Sequence, residues 1–390
     1  MTLGKEMNNK FSHSPHHPIT PSPRLPLSHS PRPNFAGFLT NASSSRSWLF
    51  PILSLILAGL FMLDLMTGSV PIAPDQVLHI LLGGDAQRAS WEKIVWLFRL
   101  PKAITAILAG AGLALSGLLM QNLFRNPLAG PSVLGISAGA SLGVAVIVLY
   151  NASGSIGPRF VADLGLTGKA AMVCSAGLGA GMVLAAILAL ARRVKDVMTL
   201  LIVGILCGFA VNAAVSVLIH FSVAERIQAY VSWTFGSFAA VTWTDLKLFV
   251  PVVLIGLTGC LLIRKPLNGL LLGEAYARSM GLRINLLRLV VIGLTALLAG
   301  TVTAFCGPVA FIGVAVPHLG RVVLGSADHR RLLPATALLG AMTALAADLL
   351  AQFPGSQAVL PLNAVTALLG APVIVWLIVR RGNLQKTFAG

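Results

Sequence analysis

Charge is scarce in this chain. Asp, Glu, Lys and Arg make up 10% of its 390 residues, against about 25% in a soluble domain. With 56% hydrophobic residues and a mean hydropathy of +0.85, there is too little polar material to cover a water-soluble fold. Acidic residues are scarcest, 12 against 28 Lys and Arg, a net charge of +16. That surplus does not describe a nucleic-acid surface, because the cations punctuate the ends of apolar runs rather than clustering among aromatics. Cysteines are few and isolated. Cys174, Cys207, Cys260 and Cys306 form no CxxC pair and read as small buried hydrophobes, not disulfides or metal ligands. No GxxxxGK[ST] loop is present. Its nearest fragment, Gly168-Lys169, lacks the upstream glycine and the following hydroxyl, so the chain has no such cradle for a nucleotide phosphate. With no HExxH and no run of paired carboxylates, the sequence predicts neither an enzyme nor a resident cofactor or metal.

Apolar runs of membrane-crossing length are abundant. A span needs about 20 apolar residues. Ten segments qualify: 48–66, 101–121, 132–150, 169–191, 198–220, 246–263, 288–306, 308–323, 332–352 and 362–379. The basic residues test this number. With the N-terminus inside and strict alternation, only Arg88, Lys93, Arg99, Lys102, Arg159, Lys169, Arg226 and Lys247 fall outside, and the other 20 of the 28 fall inside. Dropping a middle span scrambles the pattern. The chain is therefore an all-α polytopic membrane protein of about ten transmembrane helices with both termini cytoplasmic. Residues 1–46, rich in Pro, Ser and His, cannot bury enough surface to fold and are expected to be a disordered tail before a membrane domain at 47–390. The outer loop 67–100 is expected to carry a short helix near Val77–Leu82.

Glycines at four-residue spacing, Gly135/Gly139/Gly143, Gly177/Gly181 and Gly204/Gly208, predict close helix-packing seams. Two spans are interrupted. Gly130–Gly143 and Gly307–Arg321 both start Gly-Pro and continue in a Gly-spaced apolar run. They occupy matching places if each half holds five spans, the pattern of two inverted five-helix repeats. Ionisable residues in or near spans are Asp64, His220, His318 and Asp348. Of these, Asp348 is the one carboxylate that could serve an ion-coupled carrier, the competing reading. The most polar interruption is Asn268–Arg288, on the inner side between spans six and seven. Its helical spacing and its charges Glu274, Arg278, Arg283 and Arg288 place it at the membrane surface or against a partner.

Four motifs carry a resemblance. RLPKAITAILAGAGLALSGLLMQNLFRNPLAGPSVLGISAGASLG (99–143), LGEAYARSMGL (272–282), GPVAFIGVAVPHLGRVVLGSADHRRLLP (307–334) and LPLNAVTALLGAPVIVWL (360–377) resemble permease subunits of the ABC importers that carry iron-siderophores, haem and cobalamin. The likeness spans about 48–381. It implies a bacterial plasma-membrane permease that pairs with a second copy or a close relative. Two cytoplasmic ATPase subunits would supply ATP hydrolysis, an extracytoplasmic binding protein would deliver substrate, and a ferric siderophore is the expected cargo. The matching motif puts ATPase coupling in 268–288, at Gly273, Glu274, Ala277, Arg278 and Gly281. It puts binding-protein docking at Arg99 and Lys102, and at Gln352, where relatives carry Arg. Val359 likewise stands where relatives carry Glu. The resemblance implies a pathway and gate near Asn126, Pro127, Asp196, Val197, Met198, Gly307, Pro308, Pro317 and His318.

Overall fold

A computed structural model describes residues 46–84, 86–149, 168–194, 197–352 and 359–380. The predicted tail lies almost wholly outside the described residues. Among the described residues there is no strand. A 3₁₀ turn at Arg46–Trp48 leads into fifteen α-helices: α1 Leu49–Met66, α2 Pro74–Leu81, α3 Ala89–Ile94, α4 Leu100–Phe124, α5 Ile136–Leu149, α6 Gly168–Arg193, α7 Val197–His220, α8 Ala224–Thr234, α9 Trp243–Leu262, α10 Arg264–Leu271, α11 Glu274–Ser279, α12 Ile284–Cys306, α13 Ile312–Leu324, α14 His329–Ala351 and α15 Leu362–Arg380. Each of the ten predicted spans coincides with one of them. Seven are long and apolar enough to cross a bilayer alone, and Ile136–Leu149, Ile312–Leu324 and Leu362–Val375 are shorter apolar stretches.

Local chemistry explains the less regular pieces. A π turn, Val95–Arg99, joins α3 to α4. Pro101, in the first turn of α4, cannot donate to the carbonyl four residues back, and the wider turn makes room for its ring. Thr242 and Asp245 form a reciprocal capping box at the start of α9, where the Asp245 carboxylate accepts from the Thr242 amide at 2.8 Å. The two interrupted spans are broken as expected. Pro131–Leu134 is a 3₁₀ turn ending at Gly135 with φ 70°, and irregular backbone from Gly307 to Phe311 precedes α13.

Helix α4 is the centre, packed by α14, α12, α13 and α9. The pairings repeat when five spans are added: α4 with α14 corresponds to α12 with α6, α5 with α6 to α13 with α14, and α5 with α7 to α13 with α15. Small residues set the closest approaches. A Cβ on Gly110 would stand 2.2 Å from the Gly340 carbonyl oxygen, and one on Gly143 would stand 1.9 Å from that of Ser175. The predicted seam at Gly177 and Gly181 is displaced. Both face open space, and Gly179, between them, is the glycine that meets Gly139.

Contacts between helix ends agree with the alternation. Asp64 near the end of α1, Lys102 near the start of α4 and Asp348 near the end of α14 meet in one ion cluster, as three outer ends must. Asn122 near the end of α4 reaches Leu267 in α10, joining two inner ends. The charge rule assigns which side is inner.

Candidate functional site

The inner segment between spans six and seven forms two short helices rather than one. Gly273 separates α10 from α11 at φ +109°, a conformation that favours glycine. Ala277 is fully buried and packs with Leu270, Leu282 and Ile284 in a core of its own. Gly281, at φ 83°, turns the chain into α12. Gly273, Glu274, Ala277, Arg278 and Gly281 are thus brought together, with Ala277 facing inward. The outward surface is Leu272, Tyr276, Met280 and Arg278, an apolar patch with one exposed cation. Arg278 lies 3.8 Å from Glu274, and Glu274 lies 3.7 Å from buried Arg288.

Polar contacts hold this segment from beneath. Asn268 donates to Asp328 at 2.6 Å and accepts from the His329 amide at 2.8 Å. Arg125 donates to the Leu270 carbonyl at 3.4 Å. The first contact sits at the start of α14, where Asp328 caps the helix by accepting from the Arg330 amide at 3.0 Å. Burial pushes the Asp328 carboxyl upward, but the hydrogen bonds from Arg330 and Asn268 prevail and hold it below the ordinary aspartate value.

Arg99, Lys102 and Gln352, expected at the outer docking surface, make their described contacts within the chain. Arg99 is only 6% and Lys102 only 7% exposed. The Arg99 guanidinium donates to the carbonyls of Leu65 at 2.7 Å, Met66 at 3.0 Å and Val70, closing the end of α1 and the loop after it. Lys102 Nζ lies 3.0 Å from Asp64 and 2.7 Å from Asp348. Gln352 donates to the same two carboxylates, at 3.0 and 2.7 Å. A buried charge is tolerated when paired: two carboxylates hold Lys102, and backbone carbonyls hold Arg99. Asp348, the carboxylate considered for an ion-coupled carrier, is paired with Lys102 near the outer end of its helix.

The two broken spans meet. Pro131, Ser132 and Ser137 from one, and Pro308 and Phe311 from the other, line a cavity of about 250 Å³ with Asn363. A second cavity of about 310 Å³ shares Ser132 and Ser137 and reaches Gly204 and Asn212 on α7. Among the described residues, no charged side chain lines either one. Gly307 at φ 75° is pressed against the Trp233 carbonyl, 2.5 Å from where a Cβ would sit. Asn363 Oδ1 accepts from the Ala310 amide at 3.1 Å, satisfying a donor that the break frees. Pro317 and His318 are buried within α13 and line neither cavity. Asn126 and Pro127 form the turn after α4, with Asn126 Oδ1 accepting from the Leu128 amide at 2.9 Å. Asp196 and the Val197 side chain lie outside the described residues, and Met198 is exposed at the start of α7.

Gly135-Ile136-Ser137-Ala138-Gly139 has the GxSxG spacing of a hydrolase elbow. Its serine hydroxyl lies 3.5 Å from the Thr303 hydroxyl, and no histidine or carboxylate lines its cavities. The geometry is that of helix packing, not of a nucleophile. Among the described residues, no three His, Cys, Asp or Glu side chains gather where they could hold a metal.

Comparison with known proteins agrees with this layout. The profile of the FecCD transport family matches residues 55–380. The vitamin B12 import system permease protein BtuC of Klebsiella pneumoniae is 36% identical over 336 residues, 86% of this chain and 94% of that protein. BtuC from an Escherichia coli strain is 38% identical over 303 residues, 78% and 89% of the two chains. Among solved structures, an inward-facing metal-chelate type ABC transporter superposes with a TM-score of 0.74 at 29% identity, covering 86% of this chain and 99% of that one.

Proposed function

The chain belongs to the FecCD transport family, and on that premise we propose that it is the membrane permease of an ATP-driven importer for a metal chelate, taking substrate from an outer binding protein into the bacterial cytoplasm. The observation that carries the proposal is the patch formed by Leu272, Tyr276, Arg278 and Met280. It is apolar apart from the arginine, exposed, and carried on the 6-residue helix α11 and the turns flanking it, between two spans. Such a patch suits a protein partner. The sequence has no P-loop of its own, and a separate ATPase on the cytoplasmic side supplies both the partner and the energy. Two permease copies and two ATPases make the working unit, in the plasma membrane with both permease termini cytoplasmic.

The cargo we propose is a cobalamin-sized chelate rather than the ferric siderophore expected from the sequence. Two facts favour it: the named relatives import vitamin B12, and the cavities between the broken spans offer serine hydroxyls and asparagine amides without charge. Gly307 and Pro308 belong to this pathway. Asn126, Pro127, Asp196, Val197 and Met198 form its inner gate, and Pro317 and His318 support α13 behind it. The binding protein docks on the outer loops, and Arg99, Lys102 and Gln352 shape that surface from below. The test is uptake into proteoliposomes holding the permease with its ATPase and binding protein. ATP-dependent accumulation of labelled cobalamin is expected. Uptake that follows an ion gradient and ignores ATP would overturn the proposal, and accumulation of ferric siderophore alone would overturn the cargo.

A further inference from the structure

Arg288 is a buried cation that the reading above does not use. It sits in the second turn of α12 and is 3% exposed. Its Nη2 lies 3.7 Å from Glu274 Oε1, the first residue of α11. Its Nη1 donates to the Val194 carbonyl at 3.3 Å, one residue past the end of α6. Both contacts are electrostatically apt, since a helix C-terminus is the negative end of its dipole and attracts a cation. A planar guanidinium can hold a carboxylate and a carbonyl at once in a fixed fork, which a lysine ammonium does less well. Three elements therefore meet on one side chain: the short helix bearing the exposed patch, the start of span seven that follows it, and the end of span four, about 80 residues earlier.

We propose that Arg288 is a positioning residue that makes α11, the start of α12 and the end of α6 move as one body, so that displacement of the patch is delivered to span four. The proposal rests on the importer reading. Without the arginine, α11 still carries its docking patch and its small core of Leu270, Ala277, Leu282 and Ile284. What it loses is the polar bridge through Arg288 to the end of α6, leaving only the packing of α12 on α6, while the bonds that Asn122, Arg125 and Asp328 make to α10 hold that helix to α4 and to the start of α14. Partner binding and ATP hydrolysis would continue, and transport would not follow.

The experiment uses the permease, its ATPase and its binding protein in proteoliposomes, comparing Arg288→Gln and Arg288→Lys with the unaltered chain. In Arg288→Gln, uptake per ATP hydrolysed is expected to fall by about tenfold or more while hydrolysis stays within about twofold. Arg288→Lys keeps the charge and guards against a folding defect, and an intermediate ratio is expected of it. In parallel, spin labels at Ser279→Cys and Arg193→Cys, both exposed positions, report the separation of α11 from α6 in a background lacking the four native cysteines. That distance should be the same with and without nucleotide when Arg288 is present, and should change with nucleotide in Arg288→Gln. Unaltered uptake per ATP in both folded variants, or a nucleotide-driven distance change already present with Arg288, overturns the proposal. Failure of the unaltered complex to take up substrate with ATP overturns the importer reading instead.

Discussion

Replacing Lys102 by Met separates an internal role for this cation from a docking role. The ammonium stands 3.0 Å from Asp64 and 2.7 Å from Asp348, so removing it leaves two buried carboxylates joined only through the Gln352 amide among the contacts described here. Each pair has a Coulomb energy of about 6 kcal/mol at an effective dielectric near 20, and the cost of desolvating the lysine offsets much of both. Mutational experience puts the loss from breaking a buried pair at about 3–5 kcal/mol, a large part of the roughly 5–15 kcal/mol that holds a typical protein folded. One Asp64 oxygen has no hydrogen-bond partner, so the carboxylate is poorly compensated even with lysine present. Thermal unfolding in detergent, followed by tryptophan fluorescence, should fall by about 6–10 °C at roughly 2 °C per kcal/mol. The triple variant Asp64→Leu, Lys102→Met, Asp348→Leu removes every stranded charge and should recover most of that loss, because apolar packing replaces buried ion pairs at little cost. A Lys102→Met protein that unfolds at the original temperature yet binds its partner more weakly would refute the internal role. A triple variant no better than Lys102→Met would refute the electrostatic explanation.

Four further substitutions probe other parts of the molecule. Arg278→Glu should leave thermal stability within about 0.5 kcal/mol, since an exposed pair contributes little, yet lower ATP-coupled uptake, measured as transport per ATP hydrolysed. Gly117→Ala places a Cβ 1.6 Å from the Gly313 carbonyl oxygen and should destabilise by about 1–3 kcal/mol or more through overpacking. Gly181→Ala, with nothing within 4 Å, should gain up to about 1 kcal/mol of helix propensity, and paired melting curves check both. Asp328 has a folded pKa held below its unfolded value, so its contribution is complete above the unfolded pKa, about 4. That contribution is lost as pH falls through the lower folded value. Asp328→Asn keeps a capping oxygen and should show a shallower loss of stability on acidification below pH about 4, read from unfolding midpoints across pH.

What the sequence reveals depends on whether a feature is local. Spans follow from apolar length, and the two breaks follow from Gly130-Pro131 and Gly307-Pro308, because a Gly-Pro pair interrupts backbone pairing wherever it falls. The segment 268–288 stands out because hydrocarbon excludes its charges, although the division of its helix at Gly273 shows only in the backbone angles. Pairings across the fold are different. Arg99 and Lys102 at the mouth of a span look the same in sequence whether they face water or a buried carboxylate, and Asp348 lies in the other half of the chain. Four-residue spacing likewise marks a row of small residues without saying which row faces a neighbour. Gly177 and Gly181 form such a row on α6, but Gly179, on the opposite side of the helix, makes the contact. Helix α8 in the outer loop carries too little apolar periodicity to announce itself.

The two polar networks together constrain where this molecule can bend. At its outer end α14 is tied to α4 and α1 through Asp348, Lys102 and Asp64. In the middle the backbones of α4 and α14 touch at Gly110 and Gly340. At its inner end α14 is tied through Asp328 and His329 to Asn268 on α10, which Asn122 and Arg125 also tie to α4. A helix pair held at both ends and in backbone contact between them behaves as a strut. The broken spans have no such continuity. Gly135 at φ 70° and Phe311 at φ 65° interrupt the helical backbone beside the cavity the two breaks share, and α7 borders its neighbour. A displacement entering at α11 therefore meets stiff resistance from α4 and α14 and little at these interruptions. Such a displacement would bend the chain at the two breaks, which lie in matching places of the two repeats and beside the cavity proposed as the pathway.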